Sequence, residues 1–153
     1  MSWTGQGKFI IGEKISLKNP RDIIIIPRWQ VALRFIELPS LSPSEIEGMV
    51  EFQALRESPF SKGEIITGYR NIGSYKKGFS YIMLAIIKKQ LIEEMIAQSP
   101  ENPQYIRLET ELVYLVLLKK GIVKNEKVVL VINIQRDYLE IMIIDRTRPV
   151  YSR

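Results

Sequence analysis

The 153-residue chain contains neither cysteine nor histidine. Without cysteine no disulfide can form. Without either residue, Cys–His nucleophilic pairs, Ser-His-Asp triads and the common zinc sites are excluded. An enzyme built on this sequence would be left with carboxylates, lysine, tyrosine, or backbone and magnesium chemistry. Long hydrophobic runs are missing as well. The longest, at 81–87 and 128–134, have the length and the β-branched content of strands, far short of the roughly 20 apolar residues that cross a bilayer. Residues 1–8 carry no apolar core of signal-peptide type, so the sequence predicts neither export nor insertion.

What is present describes a folded protein. Apolar residues make up 46% of the chain and charged residues 25%, which sets it apart from disordered sequences. Isoleucine is frequent, and its stiff branched side chain suits strands. The net charge is +5. The lysines fall as pairs, Lys76-Lys77, Lys88-Lys89 and Lys119-Lys120, in turns and at helix ends, without the interleaved aromatics of a nucleic-acid surface. They read as solvated charges, and no nucleic-acid partner is predicted. Gly5, Gly7 and Lys8 lack the spacing and the preceding strand of a phosphate loop, and residues 1–8 read as a flexible tail.

Further along, residues 9–11 and 14–17 suit short strands, and Asp22 to Ile26 reads as a buried strand stopped by Pro27. Residues 29–37 form a second strand. Ser42 then offers an N-cap, Pro43 a first helical position and Glu45 the partner in a capping box, with Ile46, Met49, Val50 and Ala54 at helical spacing. A helix over 43–57 follows. Residues 64–72 predict a strand, 73–78 a turn, 79–87 a central strand buried on both faces, 88–98 a helix and 105–108 a short strand. The order β-α-β-β-α-β is that of a ferredoxin-like unit, with both helices on one face of a four-stranded sheet. Beyond it, 109–120 reads as a helix apolar nearly all round, hence buried, capped by Gly121. Strands at 128–134, 139–144 and 149–151 form a meander with only part of a second layer, as in a piece of a longer protein.

Two segments carry a family resemblance. One is Ile36-Glu37-Leu38-Pro39, Ser44-Glu45-Ile46-Glu47 and Phe52 through Ser58-Pro59-Phe60. The other is Val128 to Ile134, then 138–144 and Pro149-Val150-Tyr151-Ser152-Arg153. Together they are similar to the actin-like cytoplasmic proteins of type IV pilus assembly, the PilM group, and to the cytoplasmic part of the type II secretion L protein. The resemblance implies an α+β chain in three parts. These are an N-terminal tail with short strands (1–21), a ferredoxin-like βαββαβ subdomain with a preceding strand (22–109), and part of an actin-like, ribonuclease H-like core (110–153). The family's first Asp-Ile-Gly phosphate loop has no counterpart before Phe9. Its second Asp-x-Gly falls on Asn133-Ile134-Gln135. Asparagine lacks the carboxylate that orients magnesium-bound water, and Gln135 puts a side chain where close approach to phosphate favours glycine.

The resemblance therefore implies a non-catalytic scaffold or adaptor with no catalytic residues, cofactor or metal. It implies docking to the cytoplasmic tail of a membrane partner, contact with the assembly ATPase, and a cytoplasmic location peripheral to the inner membrane. A homodimer is compatible with it. Fragments of an actin-like ATPase and RNA binding by Phe79 and Tyr81 are the alternatives. The latter pair lacks the full RNA-recognition pattern and reads as core. The acidic groups Glu45, Glu47, Glu51 and Glu93-Glu94 read as capping or solvated. For the partner site, strand order 4-1-3-2 would leave 64–72 at a sheet edge, making Thr67, Tyr69, Arg70 and Asn71 the candidate contact residues.

Overall fold

A computed structural model describes residues 9–10, 23–74, 76–99, 105–125 and 127–153. The tail at 1–8 and the strand predicted at 14–17 lie outside them. The elements are β1 (Phe9–Ile10), β2 (Ile23–Ile26), β3 (Ala32–Leu38), α1 (Pro43–Glu57), β4 (Ile65–Asn71), β5 (Ser80–Lys88), α2 (Lys89–Gln98), β6 (Tyr105–Leu108), α3 (Glu109–Lys119), β7 (Val128–Ile134), β8 (Leu139–Asp145) and β9 (Arg148–Ser152). Two 3-10 turns, Arg28–Gln30 and Lys62–Glu64, precede β3 and β4. The chain is α+β, with the element order read from the sequence.

β5 organises the first part. Successive side chains of a strand point to opposite faces, and both faces of β5 are buried. Ile82, Leu84 and Ile86 meet Ile46, Val50 and Ala54 of α1. Met83, Ala85 and Ile87 meet Ile92 of α2 and Ile24, Ile26 and Leu108 of β2 and β6. The two helices thus flank opposite faces of the sheet, where a ferredoxin-like unit would place both on one. The physical reason is the pairing of β6. It forms a parallel two-stranded sheet with β2, register Ile23↔Tyr105 through Ile26↔Leu108, and does not join β3. This small sheet and α2 share one face of β5, leaving the other to α1.

The strand order of the first sheet is β1-β4-β5-β3. β1 lies parallel to β4 with Phe9 opposite Gly68 and Ile10 opposite Tyr69. This corrects the expectation that β4 is an open edge, because its outer backbone groups are paired along those positions. Gly73 follows β4 at φ +114, and a Cβ there would come within 2.9 Å of the Arg148 guanidinium. Arg148 Nη1 also donates to the Ser74 carbonyl at 3.0 Å, fixing this turn against β9.

α3 starts directly where β6 ends. Its buried face carries Thr110, Glu111 and Tyr114, while Leu115 and Val116 are exposed. The prediction of an all-round buried helix is corrected: Val113, Leu117 and Leu118 are partly buried against Met142, Ile144 and Val123, while Leu115 and Val116 stay exposed. Gly121, at φ +68, ends the helix, and the Ile122 N–H reaches back to the Leu117 carbonyl at 3.1 Å. β7, β8 and β9 form an antiparallel meander. Met142 and Ile144 pack inward against Tyr114 and Val123.

The start of α1 also differs in detail. Ser42 has the extended backbone of an N-cap, but its hydroxyl pairs with Ser44 at 3.0 Å and makes no capping bond. Ser40, which is buried, accepts from the Ser42 N–H at 3.0 Å and donates to the Glu45 carboxylate. Ser40→Ala should therefore lower stability by about 1 kcal/mol and Ser42→Ala by less than about 0.5 kcal/mol. Urea unfolding midpoints of the two variants check the order.

Candidate functional site

A groove of about 460 Å³ lies between the first part of the chain and the meander. One wall is Ile25 of β2 with Pro27 and Trp29, the second is Glu109 and Leu112 of α3, and the third is residues 135–138 of the β7–β8 turn. Proline ends β2 because it supplies no further ladder donor. The 3-10 turn that follows points the indole of Trp29 outward, 65% exposed. Tyr138 and the Arg28 backbone N–H both donate to the Glu109 carboxylate, the latter at 3.2 Å. Burial and the Glu109 carboxylate push the Tyr138 pKa up, so the hydroxyl stays a donor. The groove thus takes apolar lining from Ile25, Pro27, Trp29 and Leu112 and polar lining from Glu109, Gln135, Arg136 and Asp137.

Behind it lies a buried charge. Glu140 of β8 is fully buried, and such a carboxylate requires partners. It accepts from Ser152 at 2.6 Å, from Thr110 at 2.7 Å and from Asn133 at 3.4 Å. Arg28 stands 3.6 Å away. The planar fork of Arg28 is itself satisfied by Ser152 Oγ, Ser152 O and Val31 O, each at 2.7 Å. Burial lowers the Arg28 pKa and Glu140 opposes that shift. The guanidinium nonetheless stays charged, as arginines do.

A second buried acid, Glu111, lies in the first turn of α3. Glu111 is 3.4 Å from Arg107 and 3.6 Å from Arg70, whose guanidinium also sits 6.0 Å from the Tyr114 ring centre. Burial raises the Glu111 pKa, with Arg107 and Arg70 acting against it.

Of the residues predicted to contact a partner, Thr67, Tyr69, Arg70 and Asn71 all lie on β4, and none lines the groove. Tyr69 packs against the α1 core, Arg70 turns to Glu111, and Asn71 donates to Ser80 at 3.2 Å. Gln135, by contrast, does line the groove. Its amide donates to Asn133 Oδ1 at 3.0 Å, and Asn133 in turn donates to Glu140. An aspartate at 133 would set two carboxylates side by side, so the amide matches its neighbour. Glu47 and Glu51 are exposed, as are Glu93 and Glu94, in keeping with solvated acids. Sequence reasoning missed Arg28, Trp29 and Glu140. The signal for Glu140 was a lone acid at an inward position of an apolar strand. Among the described residues no cluster of acids could hold a metal ion.

No protein-family model and no curated protein matches the chain. Among solved structures it is similar to a chain of a PilM-PilN type IV pilus biogenesis complex. The TM-score is 0.71 and the identity 18%, over 86% of this chain and 41% of that one. A Bacteroides thetaiotaomicron protein of actin-like ATPase fold and unknown function aligns over 85% of this chain and 45% of that one, with TM-score 0.49 and 15% identity. The chain therefore spans less than half the length of either. Its fold is α+β, and it is similar to that of the chain in the PilM-PilN complex. At the level of fold, this likeness agrees with the resemblance carried by the linear motifs.

Two outcomes follow from the buried charges. Arg28→Met should cost about 3 kcal/mol, because Glu140 loses its cation while still buried, and Arg28→Met with Glu140→Gln should recover part of that loss in urea unfolding. Glu111 has a folded pKa above its unfolded value, so the folded state binds its proton more tightly. Its contribution to stability is then greatest at low pH and declines as pH rises from the ordinary carboxylate range through the raised pKa. Unfolding free energies of wild type and Glu111→Gln across pH should show that decline in the wild type alone.

Proposed function

We propose that this chain is a non-catalytic scaffold or adaptor domain of a type IV pilus or type II secretion platform. In this reading it docks an extended segment from the cytoplasmic tail of a membrane partner, sits at the inner membrane through that partner, and contacts the assembly ATPase. The observation that carries the reading is the groove at Trp29, Ile25 and Leu112, in a chain folded like one solved within a PilM-PilN complex. Grooves with an exposed aromatic anchor and a polar rim suit peptide docking. Among the described residues no helix is long and apolar enough to cross a membrane, so membrane contact in this reading goes through the partner. Asn133, engaged with Glu140 and Gln135, supports a role without nucleotide.

Synthetic peptides covering the cytoplasmic tails of the platform's inner-membrane proteins, titrated against the chain with Trp29 fluorescence and calorimetry, test this. One tail should bind at micromolar concentration, and Trp29→Ala should weaken it at least tenfold without lowering the melting temperature. Magnesium-ATP should give no heat at millimolar nucleotide. Micromolar ATP binding would instead establish the fragment of an actin-like ATPase.

A further inference from the structure

Three loops meet at the end of β7 and β8 that lies away from the groove. Arg148, at the start of β9, donates to the Ser74 carbonyl at 3.0 Å and ties the β4–β5 turn to the β8–β9 turn. The Arg146 N–H donates to the Lys127 carbonyl at 3.3 Å, and the Thr147 hydroxyl donates to Asn125 Oδ1 at 3.4 Å, tying the same turn to the loop after α3. Residues 74–79, 119–127 and 145–148 together hold eight lysines and arginines against Glu126 and Asp145, an excess larger than the +5 of the whole chain. All six of these lysines are exposed, and so is Arg146. Lys76-Lys77 and Lys119-Lys120, far apart in sequence, thus belong to one basic end. Lys88-Lys89 stands elsewhere, about 30 Å off at the far end of the nine-residue β5.

We propose that this basic end lies against the surface of an anionic lipid bilayer. Like charges gathered on one surface repel one another and resist burial inside protein, so they call for a negative counterpart that leaves them hydrated. The residue types select that counterpart. Lysine is a hydrated point charge on a flexible stem, suited to a diffuse plane of headgroups, whereas phosphate pockets and nucleic-acid contacts favour the planar fork of arginine. Of the two arginines here, Arg148 is engaged with Ser74. A protein interface would set an apolar, charge-depleted centre between the cations. Among the described residues of these loops, Ile122, 54% exposed, is the one exposed large apolar side chain. It can dip into the headgroup layer and is too small to form an interface core. The contact goes beyond the docking reading and needs no occupant in the groove, which lies about 23 Å away along the seven-residue β7 and β8.

The probes are vesicles of phosphatidylcholine with about one-third phosphatidylglycerol and vesicles of phosphatidylcholine alone, with binding of the whole chain followed by co-sedimentation. The anionic vesicles should bind it at least about tenfold better at roughly 0.1 M salt, and about 0.5 M salt should remove that preference. Lys76→Gln with Lys77→Gln should lower the binding at least about fivefold, and so should Lys124→Gln with Lys127→Gln. Lys88→Gln with Lys89→Gln removes the same charge away from the basic end and should change binding less than about twofold. All three double variants should keep the wild-type melting temperature, and the two at the basic end check each other against a folding artefact. Trp29→Ala should leave vesicle binding unchanged, which separates this surface from the groove. No preference for anionic vesicles, an equal loss in the Lys88-Lys89 variant, or tighter binding to duplex DNA or polyglutamate at the same salt would each overturn the proposal.

Discussion

The buried carboxylate of Glu140 is the interaction around which the two parts of the chain are joined. It draws Thr110 from α3, Asn133 from β7, Ser152 from β9 and Arg28 from the turn after β2 into one cluster. Replacing such a cluster wholesale with apolar residues is often neutral for stability. Its effect is geometric, since each partner has a fixed number of donors and only one arrangement satisfies them all. The Arg28–Ser152 bond spans 124 positions of sequence, so the cluster fastens the turn after β2 to β9, the last strand.

The groove inherits its shape from that fastening. Pro27 and Trp29 flank Arg28, so the anchored guanidinium decides where the indole projects. Glu109 and Leu112 come from the helix that supplies Thr110. Residues 135–138 follow β7, whose next-to-last residue is Asn133. Each wall is thus within two residues of a member of the cluster.

Much of the fold was legible because local signals and burial agreed. The helix at Pro43–Glu57 and the doubly buried β5 followed from spacing and proline alone. What escaped was long-range choice. The residues 105–108 look the same whether they join the main sheet or pair with 23–26, and only the competition for one face of β5 decides. The role of Ser40 escaped because Ser42 satisfies the capping pattern, while Ser40, buried beside Glu45, makes the bonds to the Ser42 N–H and the Glu45 carboxylate. Glu140 and Arg28 are 112 positions apart, beyond any periodicity. Thr67, Tyr69, Arg70 and Asn71 were drawn from an assumed edge that β1 occupies in part. The apolar character of 109–120 suggested full burial, yet Leu115 and Val116 face outward, because Thr110 and Glu111 take buried positions beside Glu140, Arg107 and Arg70.

One junction has a mechanical meaning. β6 ends at Leu108 and α3 begins at Glu109 with no residue between them. Domain hinges are a few residues free to change φ and ψ. Here Leu108 and Thr110 are both buried, at 2% and 3% exposure, and neither has room to turn. Strand and helix therefore behave as a single bent rod without a pivot. A tug on the small β2–β6 sheet is delivered to the meander as displacement of the whole body, with little of it absorbed as local flexing.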